Sequence, residues 1–223
     1  MSASPSTGSS RPTAKQQRAA ERERKLAEYK RQEARRKRNR KLAIGGGILA
    51  AVVVVGLVVA AFVLAPKPAN YTAGGSGAQI EGVETFDNAS AHVPGAVDYP
   101  QTPPAGGEHN QVWLNCGVYT EPVPNENAVH SLEHGAIWVT YDPSLPASEL
   151  ETLKAALPST YVVLSPFDGL PSPIVLSGWN VQLQVDEADD ARVGEFLEEY
   201  WKSDLVPEPG ALCTGGVDAP GKA

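Results

Sequence analysis

The sequence predicts an α+β domain, a mainly antiparallel sheet with two helices, preceded by a single transmembrane helix and a basic cytoplasmic arm. Three observations predict it. Charge is segregated, with fourteen Lys/Arg and four Glu in residues 1–41 against five Lys/Arg and twenty-two Asp/Glu in residues 66–223. The two regions are separated by residues 42–65, which carry no charge. Beyond residue 110 the segments read strand, strand, helix, strand, strand, strand, helix, an order that suits an α+β domain.

The N-terminal part comes first. Residues 1–13 are rich in Ser, Pro, Thr and Gly and are expected to be disordered. Residues 14–41 read as a basic, mostly polar helix, because Ala19, Ala20, Leu26, Ala27 and Tyr29 are too few to make an apolar stripe. Its charge suits anionic inner-leaflet lipid, at about 1 kcal/mol per basic residue near the surface. Nucleic acid is not expected as a partner, since no aromatic stacking pattern or known binding module accompanies the charge. As a helix, residues 42–65 rise about 36 Å, enough to cross a hydrocarbon core of about 30 Å. Arg35, Arg36, Lys37, Arg38, Arg40 and Lys41 abut this run on one side and only Lys67 on the other. That bias places the N-terminus in the cytoplasm and the acidic portion outside the cell membrane. A cleaved signal peptide would have an apolar region of about 7–15 residues, so the longer run reads as an uncleaved anchor.

Residues 66–80, with Gly74, Gly75, Ser76 and Gly77, read as a flexible linker, residues 81–216 as the folded domain and residues 217–223 as a disordered tail. Within the domain, residues 112–119 (VWLNCGVY) place Val112, Leu114, Cys116 and Val118 on one side of a half-buried strand. Residues 136–141, 161–165, 173–177 and 179–185 are β-branched and aromatic runs that predict further strands, the last two as a hairpin through Gly178. Ser148 followed by Glu151 has the form of a capping box opening a helix over 149–157, which Pro158 closes. Residues 188–202 carry Val193, Phe196, Leu197, Tyr200 and Trp201 at helical spacing, a face that packs on the sheet.

The unusual residues concentrate between 103 and 141. His130 and His134 are four apart, so one helical turn would bring both imidazoles to one face, whereas a strand would hold them about 13 Å apart. Val129, Leu132 and Gly135 fit a short helical turn that Gly135 ends before the strand at 136. Residues 130–134 also spell H-x-x-E-H, the inverted zinc-peptidase pattern with Glu133 as base, although a strand directly follows where those enzymes continue a long helix. His109 follows a Pro103-Pro104-Ala105-Gly106-Gly107 turn and could supply a third metal ligand, with Glu133, Glu108 or water completing the shell. The competing reading is that these imidazoles hydrogen-bond to backbone and hold loops in place. His92 lies in the lead-in and is set aside. Zinc or cupric copper suits imidazole and carboxylate ligands, and a methionine-based cuprous site is excluded because the only Met is Met1. Cys116 and Cys213 both fall on the outer side, where a disulfide persists.

The Pro-Pro-x-x-Gly-x-His turn at 103–109, the Cys-Gly-Val-Tyr strand at 116–119 and the VHSLEHG segment at 129–135 together resemble the domain-of-unknown-function family 3105. Its members are typically membrane-anchored and mostly actinobacterial, and the resemblance covers residues 75–216. It implies the architecture above and singles out His109, His130, Glu133 and His134, without implying a reaction. The family's turn commonly reads Ser-Gly-Pro-His, where this chain has Gly106-Gly107-Glu108-His109, which adds a carboxylate beside His109. Three functions follow as expectations. The first is a membrane-anchored extracytoplasmic domain binding a transition metal through its His cluster. The second is a non-enzymatic protein-interaction module of the cell envelope with a structural His cluster, and the third a zinc-dependent hydrolase using the HxxEH segment.

Overall fold

A computed structural model describes residues 14–64 and 69–223 of the chain. The disorder expected for residues 1–13, and the end of the apolar run with the start of the linker at 65–68, lie outside the described residues. The chain divides into two compact units, Met1–Ala65 and Pro66–Ala223.

The described part of the first unit is one continuous helix, α1 (Ala14–Leu64). Its basic half carries two surface ion pairs one turn apart, Lys25–Glu21 and Lys37–Glu33. In its apolar half Ile44, Ile48, Leu49, Val52, Val55, Phe62 and Leu64 are all exposed, on every side of the helix. A helix apolar all round has no face for water, and its backbone polar groups are satisfied within the helix. It therefore fits a single-pass membrane anchor.

The second unit is built on one six-stranded open sheet. Its elements in chain order are β1 (Val83–Thr85), β2 (Gly117–Val118), α2 (Asn125–Glu133), β3 (Ile137–Tyr141), α3 (Ala147–Ala156), β4 (Val162–Pro166), β5 (Ile174–Gly178), β6 (Val181–Val185) and α4 (Ala191–Tyr200). Across the sheet the strands run β1-β6-β5-β3-β4-β2. The sheet is more mixed than expected: β1–β6, β6–β5 and β5–β3 are antiparallel, whereas β3–β4 and β4–β2 are parallel. The crossovers through α2, between β2 and β3, and α3, between β3 and β4, are the physical reason, because a strand reached through a helix returns in the same direction. Among the described residues this unit has three helices where two were expected, the additional one being α2.

The two faces of the sheet bury different sets. Ile137, Val139 and Tyr141 of β3 join Leu164, Ile174, Leu176, Leu183 and the apolar residues of α3 and α4 in one cluster. Trp138 and Val163 point to the other face and join Leu114, Tyr119, Val123, Ala128 and Leu132. Strand side chains alternate, so α2 lies opposite α3 and α4, on the second face. As the spacing of 188–202 predicts, Val193, Phe196 and Leu197 of α4 are buried in the first cluster, with Tyr200 and Trp201 packed against it.

Four local expectations are corrected. The strand read over 112–119 shrinks to two residues, because residues 114–116 pair instead with the C-terminal segment, through a Leu114–Val217 bridge and a Cys116 N–H bond to the Cys213 carbonyl. The Ser148 capping box does not form: Pro146 is the N-cap, no side chain caps it, and the Ser148 carbonyl accepts from the Thr152 hydroxyl. The hairpin turns at Trp179-Asn180, with Gly178 and Val181 paired as the last rung. Residues 217–223, expected as a disordered tail, are held by the Leu114–Val217 and Tyr119–Lys222 bridges and by the Ala223 N–H bond to Val118.

The linker stretch is also held, from residue 71 to residue 78. The Tyr71 hydroxyl donates to the Ala156 carbonyl at 2.6 Å, and the amides of Ser76, Gly77 and Ala78 all donate to the Glu199 carboxylate at 2.7–3.1 Å. Gly75, at φ +66°, lies so close that a Cβ would fall 2.2 Å from the Glu199 carbonyl oxygen. The Ser76 amide, with those of Ala78 and Gly77, holds the Glu199 carboxyl below its ordinary value of 4.5. A depressed folded-state pKa gives stability that is present above the unfolded value and is lost as pH falls through the folded one. Amide protection factors at Ser76–Ala78 are accordingly expected to drop as pH falls below 4.5. In Glu199→Gln they should be low throughout; protection independent of both pH and Glu199 would show that other contacts hold the strap.

Candidate metal centre

The centre is assembled around α2. Pro124 is the N-cap of this helix, with extended backbone at φ −63° and ψ 124°, and residues 128–133 are all buried. His130, Glu133 and His134 recur at i, i+3 and i+4 and share a face. His134 is the C-cap; the Gly135 amide returns to the Leu132 carbonyl at 2.9 Å and the Ala136 amide to Ser131 at 3.0 Å. This is a Schellman closure, which needs a left-handed residue at 135, and Gly135 sits at φ +91°. A Cβ there would also stand 3.2 Å from the Lys202 Cα. The glycine that ends the helix therefore also fixes where the His134 ring begins.

The other ligating candidates arrive on loops. His109 follows Gly106 and Gly107, both at positive φ, and forms a parallel bridge with His92. Two backbone bonds make that bridge, Val93 N–H to the His109 carbonyl at 2.8 Å and His109 N–H to Ala91 at 3.0 Å. Glu208 approaches from the C-terminal segment, where its amide donates to the Glu133 carbonyl at 3.1 Å.

Three buried imidazoles share one hydrogen-bonding pattern. The Nδ1 of His109 lies 2.8 Å from the Gly107 carbonyl, that of His130 2.7 Å from Asn110, and that of His134 2.8 Å from Leu212. A carbonyl only accepts, so each Nδ1 carries a hydrogen and each ring keeps Nε2 as its ligand atom. Backbone carbonyls holding Nδ1–H are the usual support of a metal-binding histidine. The rings are in mutual contact: centroids are 4.7 Å apart for His92 and His109, 4.8 Å for His92 and His130, 4.9 Å for His109 and His130, and 4.6 Å for His130 and His134. Glu133 Oε2 is 2.8 Å from His109 Nε2 and 3.5 Å from His92 Nε2, and Glu208 Oε2 is 3.2 Å from His134 Nε2.

Donor atoms thus gather in two overlapping sets, each lying within 4.8 Å of one another: His92, His109, His130 and Glu133, and His130, His134 and Glu208. Trp113 packs against His130 and His134, and Trp179 against His109, giving the cluster apolar walls. Burial drives the His130 imidazole toward its neutral form, and the neighbouring His134 and His109 push the same way against the Asn110 hydrogen bond. Burial is the largest influence on both His109 and Glu133 and opposes their charge, but their mutual hydrogen bond and the neighbouring hydrogen bonds and charges together outweigh it, raising the His109 pKa and lowering that of Glu133. Both shifts favour the charge-paired form of His109 and Glu133, and a metal at His109 would take the place of a proton on its Nε2.

A family profile described as "Protein of unknown function (DUF3105)" matches residues 92–215. The chain belongs to this family. The DUF3105 match begins at His92 and encloses every residue of both donor sets and both cysteines. The comparison with curated proteins finds no match, and neither does that with solved structures.

All four residues singled out by the DUF3105 resemblance, His109, His130, Glu133 and His134, lie in the cluster. Glu108 does not: its side chain is exposed and it belongs to neither set. Sequence reasoning passed over His92 and Glu208. His92 is 17 residues from His109 with no diagnostic spacing, and only the backbone bridge between them brings it in. Glu208 sits in a Pro-Glu-Pro-Gly turn that reads as an ordinary loop.

On the His92 side of the cluster, His92, Pro94, Asn110, Gln111 and Val112 line a cavity of about 400 Å³. A more apolar groove of about 560 Å³ lies elsewhere, against Leu157, Tyr161, Leu212 and both cysteines. Its titratable lining is Lys154 and Tyr161, with neither a carboxylate nor an imidazole, so the histidine cluster is the better candidate for chemistry. Cys116 and Cys213 are joined in a disulfide with 5.4 Å between their Cα atoms, which leaves no free thiol for a nucleophilic role.

Proposed function

We propose that this chain is a membrane-anchored, extracytoplasmic transition-metal-binding protein, with zinc or cupric copper as the ion. The observation that carries this reading is the shared support of His109, His130 and His134, each with Nδ1 bound to a backbone carbonyl and Nε2 turned toward the cluster that Glu133 and Glu208 complete. A purely structural cluster is disfavoured on energetic grounds. Desolvating several imidazoles in mutual contact is costly, and the bonds that offset it, from Nδ1 to backbone carbonyls and from His109 and His134 to Glu133 and Glu208, do not require the rings to converge. A metal ion coordinated by Nε2 atoms and a carboxylate would offset that cost.

Topology supports the setting. The basic residues before the apolar run favour an N-terminus in the cytoplasm, where the arm can meet anionic inner-leaflet lipid. The Cys116–Cys213 disulfide favours an oxidising compartment for the domain. The hydrolase reading is weaker, because Glu133 is engaged by the His109 Nε2 at 2.8 Å and serves as a ligand or counter-ion there rather than a free base.

Elemental analysis of the full chain tests the proposal, after purification in detergent without an affinity His-tag and after zinc and Cu²⁺ are offered under non-chelating conditions. About one ion per chain is expected for a centre of this donor number. Binding far below stoichiometry with both metals would overturn the reading and leave the interaction module in its place.

A further inference from the structure

We infer that the cluster offers one metal ion two adjacent positions that share His130, and that the ion passes between them. This rests on the metal-binding reading above. The first position is His92, His109, His130 and Glu133; the second is His130, His134 and Glu208.

His130 is the only member of both sets, and it has one nitrogen to give. Its Nδ1 is committed to the Asn110 carbonyl at 2.7 Å, which leaves the single Nε2 lone pair. Two ions cannot share that lone pair, so the positions are alternatives. An ion moving between them would keep its bond to His130 Nε2, release His92, His109 and Glu133, and take up His134 and Glu208. Nothing is oxidised or reduced; coordination bonds are exchanged around a ligand that stays attached.

The arrangement of exposure gives the exchange a direction in space. His109, His130 and His134 are all buried, at 0%, 3% and 2% exposure. Each position has one solvent-facing ligand, His92 with 40% of its side chain exposed and Glu208 with 47%. His92 lines the cavity of about 400 Å³, whereas Glu208 lies on the separate C-terminal segment. An ion can therefore be taken from solvent or a donor at one mouth and given up at the other, with His130 as the pivot. The two halves are mechanically joined, because the Glu208 amide bonds the Glu133 carbonyl and the Leu212 carbonyl holds His134 Nδ1. The cargo is a divalent ion that accepts imidazole and carboxylate and exchanges ligands readily, and the function is transfer rather than permanent retention.

The test uses Co²⁺ as probe, read by its ligand-field absorption and by equilibrium dialysis on the full chain in detergent. His92→Ala/Glu133→Gln weakens the first position; it should still bind about one Co²⁺ with an altered spectrum. Adding Glu208→Gln to that background should lower affinity by about tenfold or more, the size usual for disturbing a metal's support. The inference is overturned if wild type binds Co²⁺ but His92→Ala/Glu133→Gln binds none while folded, or if Glu208→Gln in that background changes affinity less than about threefold. It is also overturned if wild type holds two ions at once. If wild type binds none, the metal reading itself fails. Should the buried Glu133→Gln change prevent folding, His92→Ala alone serves: Glu208→Gln must then weaken Co²⁺ more in His92→Ala than in wild type, and equal effects refute the second position.

Discussion

His130→Ala is expected to abolish metal binding, lowering zinc affinity by at least about 100-fold, the upper end of what loss of a supporting partner alone produces. The expectation follows from its place in both donor sets, so no neighbouring position can compensate for its loss. Its ring also touches those of His92, His109 and His134, so removing it opens the space in which the other donors converge. Zinc titration by calorimetry checks the outcome, with circular dichroism to confirm that the variant is folded. Because His130 sits on α2 against a core that includes Leu132 and Trp138, the fold should survive. A folded variant that binds zinc within about threefold of wild type would place the centre elsewhere.

Cys116→Ala/Cys213→Ala, or reduction of the native protein, is expected to destabilise the second unit by about 2–5 kcal/mol, the cost usual for removing a native disulfide from a small domain. The bridge closes a loop of 97 residues, long enough for the constraint on the unfolded chain to be near its largest. It ties the Cys116 segment, anchored in the core by Leu114 and Tyr119, to a C-terminal segment with little apolar content of its own, and the Cys116 N–H also donates to the Cys213 carbonyl. Beside Cys213, the Leu212 carbonyl accepts from His134 Nδ1, so loosening this segment should also release the His134 side of the cluster. Denaturant unfolding with and without reductant measures the first effect, and Co²⁺ absorption under the same conditions the second. An unchanged unfolding midpoint would show that the C-terminal segment is held by its other bonds alone.

The limits of sequence reading can be traced to particular residues. The strands at 137–141, 162–166 and 174–178 were legible as β-branched and aromatic runs, and the helix at 191–200 from its helical period, because each is set by its own residues. The short turn expected at 129–135 proved to be the end of a nine-residue helix, since residues 125–128 carry no apolar periodicity that would extend it upstream. The parallel pairs were not legible, because direction depends on which edge the chain returns to after α3 and not on the strand's own residues. Ser148 shows the reverse failure: a capping-box motif lost to Pro146, which starts the helix two residues earlier.

Local chemistry by itself determined the apolar run with its basic flank, the β-branched strands of the sheet centre, and the placing of His130, Glu133 and His134 on one helical face. Each depends on neighbours within about one or two turns, and periodicity records them directly. Only the tertiary structure decided that His92 and Glu208 belong with them, and that Gly107, Asn110 and Leu212 offer the carbonyls that orient the three rings. Leu212 lies 78 residues from His134. Contacts at such separations arise from chain closure around a shared core, and no spacing in the sequence encodes them.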